Sequence, residues 1–593
     1  MLSLLCILTF LLSLTLSQHS PPQFHSPSQS KSQPAPSRPP SPPNHTTWTS
    51  LVLTHHGERR PPLTTAFPTL TPLGATQAFS SGSLLRSRYL TGVPSNLTTF
   101  SPLQGFHKNY LDSQRIQVLA GPEQYTVASA WAFLQGLYPP VDVPGVVGGS
   151  RLAGGKGVEA PLGGYQYGRV ETAGGGDWNS VWIAGNDHCP SHALSTAHQL
   201  NTTTYKNTSL VSAPFYASTI PAVFRGTIPD PMVTYHNAID LYEYAAYAKL
   251  HNDTVATKLP TASLTRLRAL AAQRLWGIHG SQGASGAGDD DEWSGVVKPI
   301  AGRTFAARVV SLLSGAMSAR PGALNLLFSG SAPFVGFSAI SGLAEHDARF
   351  KGVVEPGSMM VFEVFSYTDP EAGVPGKEDL WVRFLYRNGT AENNRLMGYP
   401  LFGRGRSKMD MRFAEFEEEM GGVAVGVGEW CEGCEAGSVF CPAFREALEK
   451  ARKEGGEKEG GGGGGKEGGK EGGKKKKSKK ATAVELGLGL GAAGVVLTGM
   501  MLTFLIYARR GERKKAEGYG NKERERAGGE GPGSWEMGDR TPKEGEGGAG
   551  RGQANYPVQN EEGLRSMSVY SVHEEEEEAV NPLREPVRVE DRV

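Results

Sequence analysis

The chain has no charge surplus of either sign, with Lys+Arg and Asp+Glu at 60 each. That balance removes the electrostatic footprint of a nucleic-acid binder, so no nucleic-acid partner is expected. Cysteine is scarce, five in 593 residues. If Cys6 leaves with an N-terminal signal, the remaining Cys189, Cys431, Cys434 and Cys441 allow two disulfides at most, in any of three connectivities. The alternative for Cys431-x-x-Cys434 plus Cys441 is a zinc site. Long apolar runs are also few: only two stand out, one at each side of the polar bulk.

The first, within residues 1–17, has the length of a signal-peptide core and is too short to span a bilayer. It lacks a charged leading region, which leaves an uncleaved anchor as the alternative. The second, Leu486 to Tyr507, is 22 residues without a charge, enough at about 1.5 Å per residue to cross a hydrocarbon core of about 30 Å. It is expected to be a transmembrane helix, and Gly487, Gly491 and Gly494 would let a second helix approach. Six basic residues precede it (Lys474 to Lys480) and six follow it (Arg509 to Lys522), so the positive-inside rule is tied. Asn-X-Ser/Thr acceptors at Asn44, Asn96, Asn201, Asn207, Asn252 and Asn388 all precede the span. They assign the N-terminal part to the lumen or cell exterior. The expectation is a secretory-pathway, type I single-pass glycoprotein at the cell surface or vacuole, with the membrane as its first partner.

The 78 Gly and 39 Pro are concentrated in a few stretches, which separate folded from unfolded parts. Residues 18–47 read as a Pro/Ser-rich disordered stalk, 450–485 as a Gly/Lys/Glu linker and 508–593 as a disordered cytoplasmic tail. Ser566, Ser568, Tyr570 and Ser571 in the tail are candidate phosphorylation sites. Between them, 48–449 is the globular part. Thr49 to Thr54 reads as a buried strand, with helical patterns at 72–89, 124–137 and 232–250. Further strands are expected at 324–328, 359–365 and 380–386, and a helix at 333–343. Strands alternating with helices indicate an α/β core. The glycine-rich, sequon-rich stretch 140–294 reads as an inserted cap.

The strand at 49–54 runs into His55-His56-Gly57-Glu58-Arg59-Arg60-Pro61. A histidine at a strand end can attack phosphorus while nearby arginines neutralise the phosphoryl oxygens. A plain polar turn is the competing explanation. A metal cluster of His55, His56 and Glu58 is another, although adjacent histidines rarely point the same way.

More of the chain resembles one family, the histidine acid phosphatases, including the fungal acid phosphatases and phytases. The His-Gly-x-Arg-x-Pro segment is followed by Leu70-Thr71-Pro72-Leu73-Gly74-Ala75-Thr76-Gln77 and Leu85-Arg86-Ser87-Arg88-Tyr89, similar to the family's LTxxGxxQ and LRxRY. Gly136-Leu137-Tyr138-Pro139-Pro140, Tyr399-Pro400-Leu401 and the cysteine cluster resemble later family elements. The resemblance implies a mainly parallel central sheet flanked by helices, with a mostly helical inserted cap. It also implies that His56 is the nucleophile that becomes phosphohistidine, and that Arg59 binds phosphate.

The other positions depart from the family. His55 stands where the family keeps its first arginine, and would carry charge only when protonated, below about pH 6.5. Tyr125 occupies the third arginine's position, and Ser331-Ala332 replaces the His-Asp pair whose aspartate protonates the leaving group. Arg60 is a candidate substitute, and His346-Asp347 a displaced acid. The expected function is therefore a membrane-anchored, phosphatase-like protein with little or no phosphomonoesterase activity. It would bind a phosphorylated small molecule or a protein. The alternative is an active cell-surface acid phosphatase working through His56. No cofactor or metal is expected.

Overall fold

The computed structural model describes residues 45–140, 149–280, 294–319, 322–368, 371 and 373–460. The expected signal segment, nearly all of the stalk, the span at 486–507 and the tail lie outside them. Among the described residues no helix is long and apolar enough to cross a membrane.

The run TTWTSLVLTH forms strand β1, Thr46–His55, buried along its whole length. It begins two residues ahead of the expected boundary at 48, so Thr46 and Thr47 belong to the sheet. Alternate side chains enter different cores, as the strand period of two requires. Leu51 and Leu53 pack on one face with Phe305, Phe337 and Phe362. Val52 packs on the other with Leu85, Phe133 and Phe328. Covered on both faces, the strand reads as continuous hydrophobicity.

Three parallel strands set the site end of the sheet: β1, then β2 (Ile116–Ala120), with β4 (Ala323–Ser329) lying between them. Glu171–Thr172, β3, extends this half in parallel beyond β2. On its other side β1 pairs antiparallel with β5 (Met359–Ser366), followed by β6 (Trp381–Arg387) and β7 (Asp410–Arg412), again antiparallel. The sheet is therefore mixed, not mainly parallel as expected. Its antiparallel half is β5, β6 and β7, each running against its neighbour.

Helices α1 (Pro72–Arg86) and α2 (Gln124–Leu137) cover one face. They approach so closely that a Cβ on Gly82 or Gly136 would sit 2.0 Å from a carbonyl oxygen of the other helix. The helix expected over 72–89 gives way to a π-turn at Ser87–Thr91. That turn carries Arg88 inward, where it grips Glu363 of β5 with Nε and Nη2 at 2.5 and 2.7 Å. Tyr89 donates to the same carboxylate. The LRxRY segment is thus a buried tie between α1 and the sheet.

In the stretch 140–294, Glu171–Thr172 joins the central sheet instead of the cap. Helices Thr203–Thr219, α3 (Ala238–His251) and Thr261–His279 surround a separate core of Tyr216, Phe224, Leu241 and Leu267. The helix expected over 232–250 starts only at Ala238, because Thr234 is extended and the Asn237 side chain bonds back to Met232 O. On the sheet's second face lie α4 (Ile300–Ala319) and α5 (Ala332–Ile340). The helical pattern expected to reach 343 stops at Ile340, since Gly342 takes a left-handed φ of 76°.

Cys189 pairs with Cys434 and Cys431 with Cys441. The pairing leaves no thiolate for the zinc alternative. The last helix among the described residues, α6, runs Cys441–Gly460, through the first residues of the expected linker at 450–485.

Candidate active site

The carboxyl ends of the parallel strands converge on one edge, where α/β sheets place ligands. His55 ends β1 opposite Ser329 of β4, and Ala120 ends β2 opposite Phe328. The chain therefore leaves β1 into His56-Gly57, leaves β2 toward Tyr125 at the start of α2, and leaves β4 into Ser331-Ala332.

The loop after β1 is held by its neighbours. Gly57 N–H donates to Ser129 Oγ of α2 (3.0 Å), Glu58 N–H to Gln77 Oε1 of α1 (2.8 Å), and His56 O accepts from Gly357 N–H (3.1 Å). Gly57 lies against Gly74, and a Cβ on either would come within 2.1 Å of a backbone oxygen. Only glycine at both positions permits this approach. Thr71 caps α1 through Gly74 N–H and also donates to the Glu58 carboxylate at 2.8 Å. The LTxxG pattern thus anchors the histidine loop to the helix.

His56 Nδ1 lies 2.8 Å from Gly57 O. A carbonyl can only accept, so Nδ1 carries the proton and Nε2 keeps its lone pair, the tautomer a nucleophile needs. Burial, then His55 and Arg59, holds the His56 imidazole well below its ordinary range. The ring is 4.2 Å from His55 and meets Tyr125 edge-on at 4.6 Å.

His55 is 7% exposed, and its Nδ1 is buried without a hydrogen-bond partner. Burial, reinforced by Arg59, lowers its pKa to about 3. The expectation that His55 becomes cationic below about pH 6.5 is corrected: desolvation keeps it neutral through the mildly acidic range.

Arg59 makes a two-pronged ion pair with Glu243 of α3, Nε to Oε1 at 2.8 Å and Nη2 to Oε2 at 3.1 Å. Its guanidinium lies 4.5 Å over the Tyr125 ring. Burial alone would lower the Arg59 pKa, but Glu243, with Tyr125 and Asp240, more than offsets it and keeps the group charged. The Tyr125 phenol is pushed up by burial and stays neutral. Glu58 pairs with His251 Nε2 at 2.8 Å. Its carboxylate is thereby turned to Thr71 and His251, and the proposed His55-His56-Glu58 metal cluster does not form. Among the described residues no group of three or more His, Cys, Asp or Glu could hold a metal.

The remaining candidates scatter. Arg60 is exposed. Ser331 precedes α5 without a side-chain cap bond, and Ala332 is buried at the helix start. His346 ends a short helix beside Tyr399, while Asp347 caps the next turn and pairs with Arg349 at 2.6 Å. Neither is bonded to the His56 set. Of the glycosylation candidates, Asn96, Asn201, Asn207 and Asn252 are exposed, and Asn44 is outside the described residues. Asn388 uses its amide internally, Nδ2 donating to Val353 O and Oδ1 accepting from Glu355 N–H and Ser358.

Sequence reasoning missed Asp240, Glu243, Tyr247 and His251. They recur at three- or four-residue steps along α3, alongside the apolar Leu241, Ala245 and Ala248. That polar stripe was the available signal, but nothing local says what it faces.

Residues 51–214 match the family model of the histidine phosphatase superfamily, branch 2. Compared with curated proteins, the chain has no match. Solved structures similar to it include the phytase of Klebsiella sp ASR1, 12% identical with a TM-score of 0.41, over 64% of this chain and 97% of that one. The phytase from Citrobacter braakii is 12% identical with a TM-score of 0.39, over 66% and 99%. A Bifidobacterium longum multiple inositol polyphosphate phosphatase is 10% identical with a TM-score of 0.35, over 65% and 94%.

Proposed function

For a chain that carries a histidine phosphatase superfamily branch 2 domain over residues 51–214, we propose a ligand- or partner-binding role with little or no hydrolysis of phosphomonoesters. The observation that carries this reading is the Arg59–Glu243 pair: the arginine retained from the motif already has the Nε–Nη2 edge of its guanidinium taken by a carboxylate. Phosphoryl transfer depends on cations that neutralise the phosphoryl oxygens and on a proton donor for the leaving group. Here His55 is neutral, Tyr125 is neutral, and Ser331-Ala332 supplies no acid. A missing general acid costs about 10² to 10⁴ in rate, and each lost hydrogen bond to a charged group about 1.5–3 kcal/mol. A phosphorylated ligand approaching that edge would have to displace Glu243, which favours a partner that does not need it.

The reading also places the domain outside a membrane, in the secretory pathway, tethered by residues 486–507. Support comes from the apolar run and the sequons alone. Resistance to alkaline carbonate extraction, with glycosidase-sensitive mobility of the N-terminal part, is the expected result.

One observation favours the second reading, an active acid phosphatase. The His56 Nδ1–Gly57 O bond presents Nε2 with its lone pair free. The two readings separate on the full-length chain assayed with p-nitrophenyl phosphate from about pH 3 to 7, beside His56→Ala. Equal background rates support the binding role. Turnover lost with His56, or phosphohistidine trapped on it, overturns that role.

A further inference from the structure

The cap helix α3 docks on the histidine loop. Its polar stripe meets the histidine loop at two points, Glu243 on Arg59 and His251 on Glu58. Tyr247 stacks on the His251 ring at 4.4 Å, fixing the second contact. At the first, both Glu243 oxygens take the Nε and Nη2 edge of the guanidinium. Arginine grips a phosphate through the same two parallel N–H···O bonds. Glu243 therefore presents in cis the pair of oxygens that a phosphate would present from solution. Tyr125 lies along the guanidinium face at 4.5 Å, so Arg59 is held by a carboxylate on one edge and a ring on its face.

The neighbourhood opposes a second anion. Asp240, one turn before Glu243, also acts on Arg59, and burial pushes its carboxyl up while Arg59 pulls it back. Burial likewise raises the Glu243 carboxyl against the pull of Arg59. One cation is thus shared by two carboxylates, and both neighbouring imidazoles are neutral.

We propose that Glu243 is the specificity-determining residue of the His56 pocket: by occupying the fork of Arg59 it excludes inorganic phosphate and phosphomonoesters. This deepens the binding-role reading and rests on it. The Arg59 cradle is intact, and a residue of the cap fills it.

Isothermal titration of the full-length chain with inorganic phosphate tests the assignment. Glu243→Ala should bind phosphate at least about 100-fold more tightly than wild type, the factor expected of two charge-assisted hydrogen bonds. Adding Arg59→Ala to Glu243→Ala should abolish the gain. Glu243→Gln, which keeps the shape without the charge, should move the same way by a smaller factor. The proposal is overturned if the folded Glu243 variants bind phosphate no better than wild type. It is equally overturned if the gain survives without Arg59. Wild-type turnover of p-nitrophenyl phosphate is a separate outcome: it would end the binding-role reading, yet a 100-fold tightening in Glu243→Ala would still assign specificity to Glu243.

Discussion

Replacing His55 by Phe should make the protein markedly more resistant to acid than the wild type. The folded imidazole titrates at about 3, against 6.5 for an exposed one. As pH falls below about 6.5 the unfolded chain takes up a proton that the folded chain refuses, so folded stability drops until about pH 3 and then levels. One pKa unit is about 1.36 kcal/mol, so the full window corresponds to about 5 kcal/mol and the interval from neutrality to pH 5 to about 2 kcal/mol. Phenylalanine keeps the edge-on contact with Phe334 at 6.0 Å and gives up the imidazole's hydrogen bond to the Glu355 backbone. The ring exchange itself shifts stability by an amount independent of pH. Urea unfolding of both proteins at pH 7, 6, 5 and 4 yields the difference, in which groups common to both cancel. The difference should grow in favour of the variant by up to about 1.4 kcal/mol per pH unit below pH 6. A difference constant over pH 7 to 4 would refute the depressed pKa and reinstate His55 as a cation available to a phosphate at mildly acidic pH.

Arg88→Met should destabilise by about 3–5 kcal/mol, because it strands a Glu363 carboxylate that Arg88 and Tyr89 hold below its ordinary range against the opposing effect of burial. Chemical denaturation should show that Arg88→Met/Glu363→Leu recovers much of the loss; a double variant worse than the single would contradict this. Removing Cys189–Cys434, which spans 245 positions, should lower stability by about 5 kcal/mol, and removing Cys431–Cys441, spanning 10, by about 3 kcal/mol. Paired Cys→Ala variants followed by thermal melting test that order, which equal losses would deny. Glycopeptide mass spectrometry should find Asn96, Asn201, Asn207 and Asn252 modified and Asn388 bare, since a glycan on Asn388 Nδ2 competes with its bond to Val353 O.

Elements dominated by local pattern were legible before any coordinates. The run at 49–54 reads as a buried strand, which it is, and α2 starts and ends where its apolar period does, at Gln124 and Leu137. Strand direction was not legible. Whether β5 lies antiparallel to β1 depends on which edge is free when it arrives, and alternation within β5 is the same either way. The histidine loop was readable because glycine, histidine and arginine at fixed spacing carry their own chemistry. Its electrostatic state was not, since the His55 pKa follows from burial by segments far away in sequence. Glu243 escaped for a related reason: a glutamate on a helix surface is ordinarily solvated, and only docking of α3 on Arg59 makes it part of the site.

Strand β1 has a consequence for how the molecule is made. Thr49 hydrogen-bonds to Ala323, 274 positions later, and the other neighbour, β5, follows later still. At about 5–20 residues per second on the ribosome, β1 waits roughly 14–55 s for its first partner. Through that interval an apolar strand, together with Arg59 and the histidine loop, has no sheet to join, and α3 emerges before β4 can fix the loop it will clamp. The nascent chain is therefore a natural client for chaperones that hold extended apolar segments, and the His56 pocket is among the last features of the domain to exist.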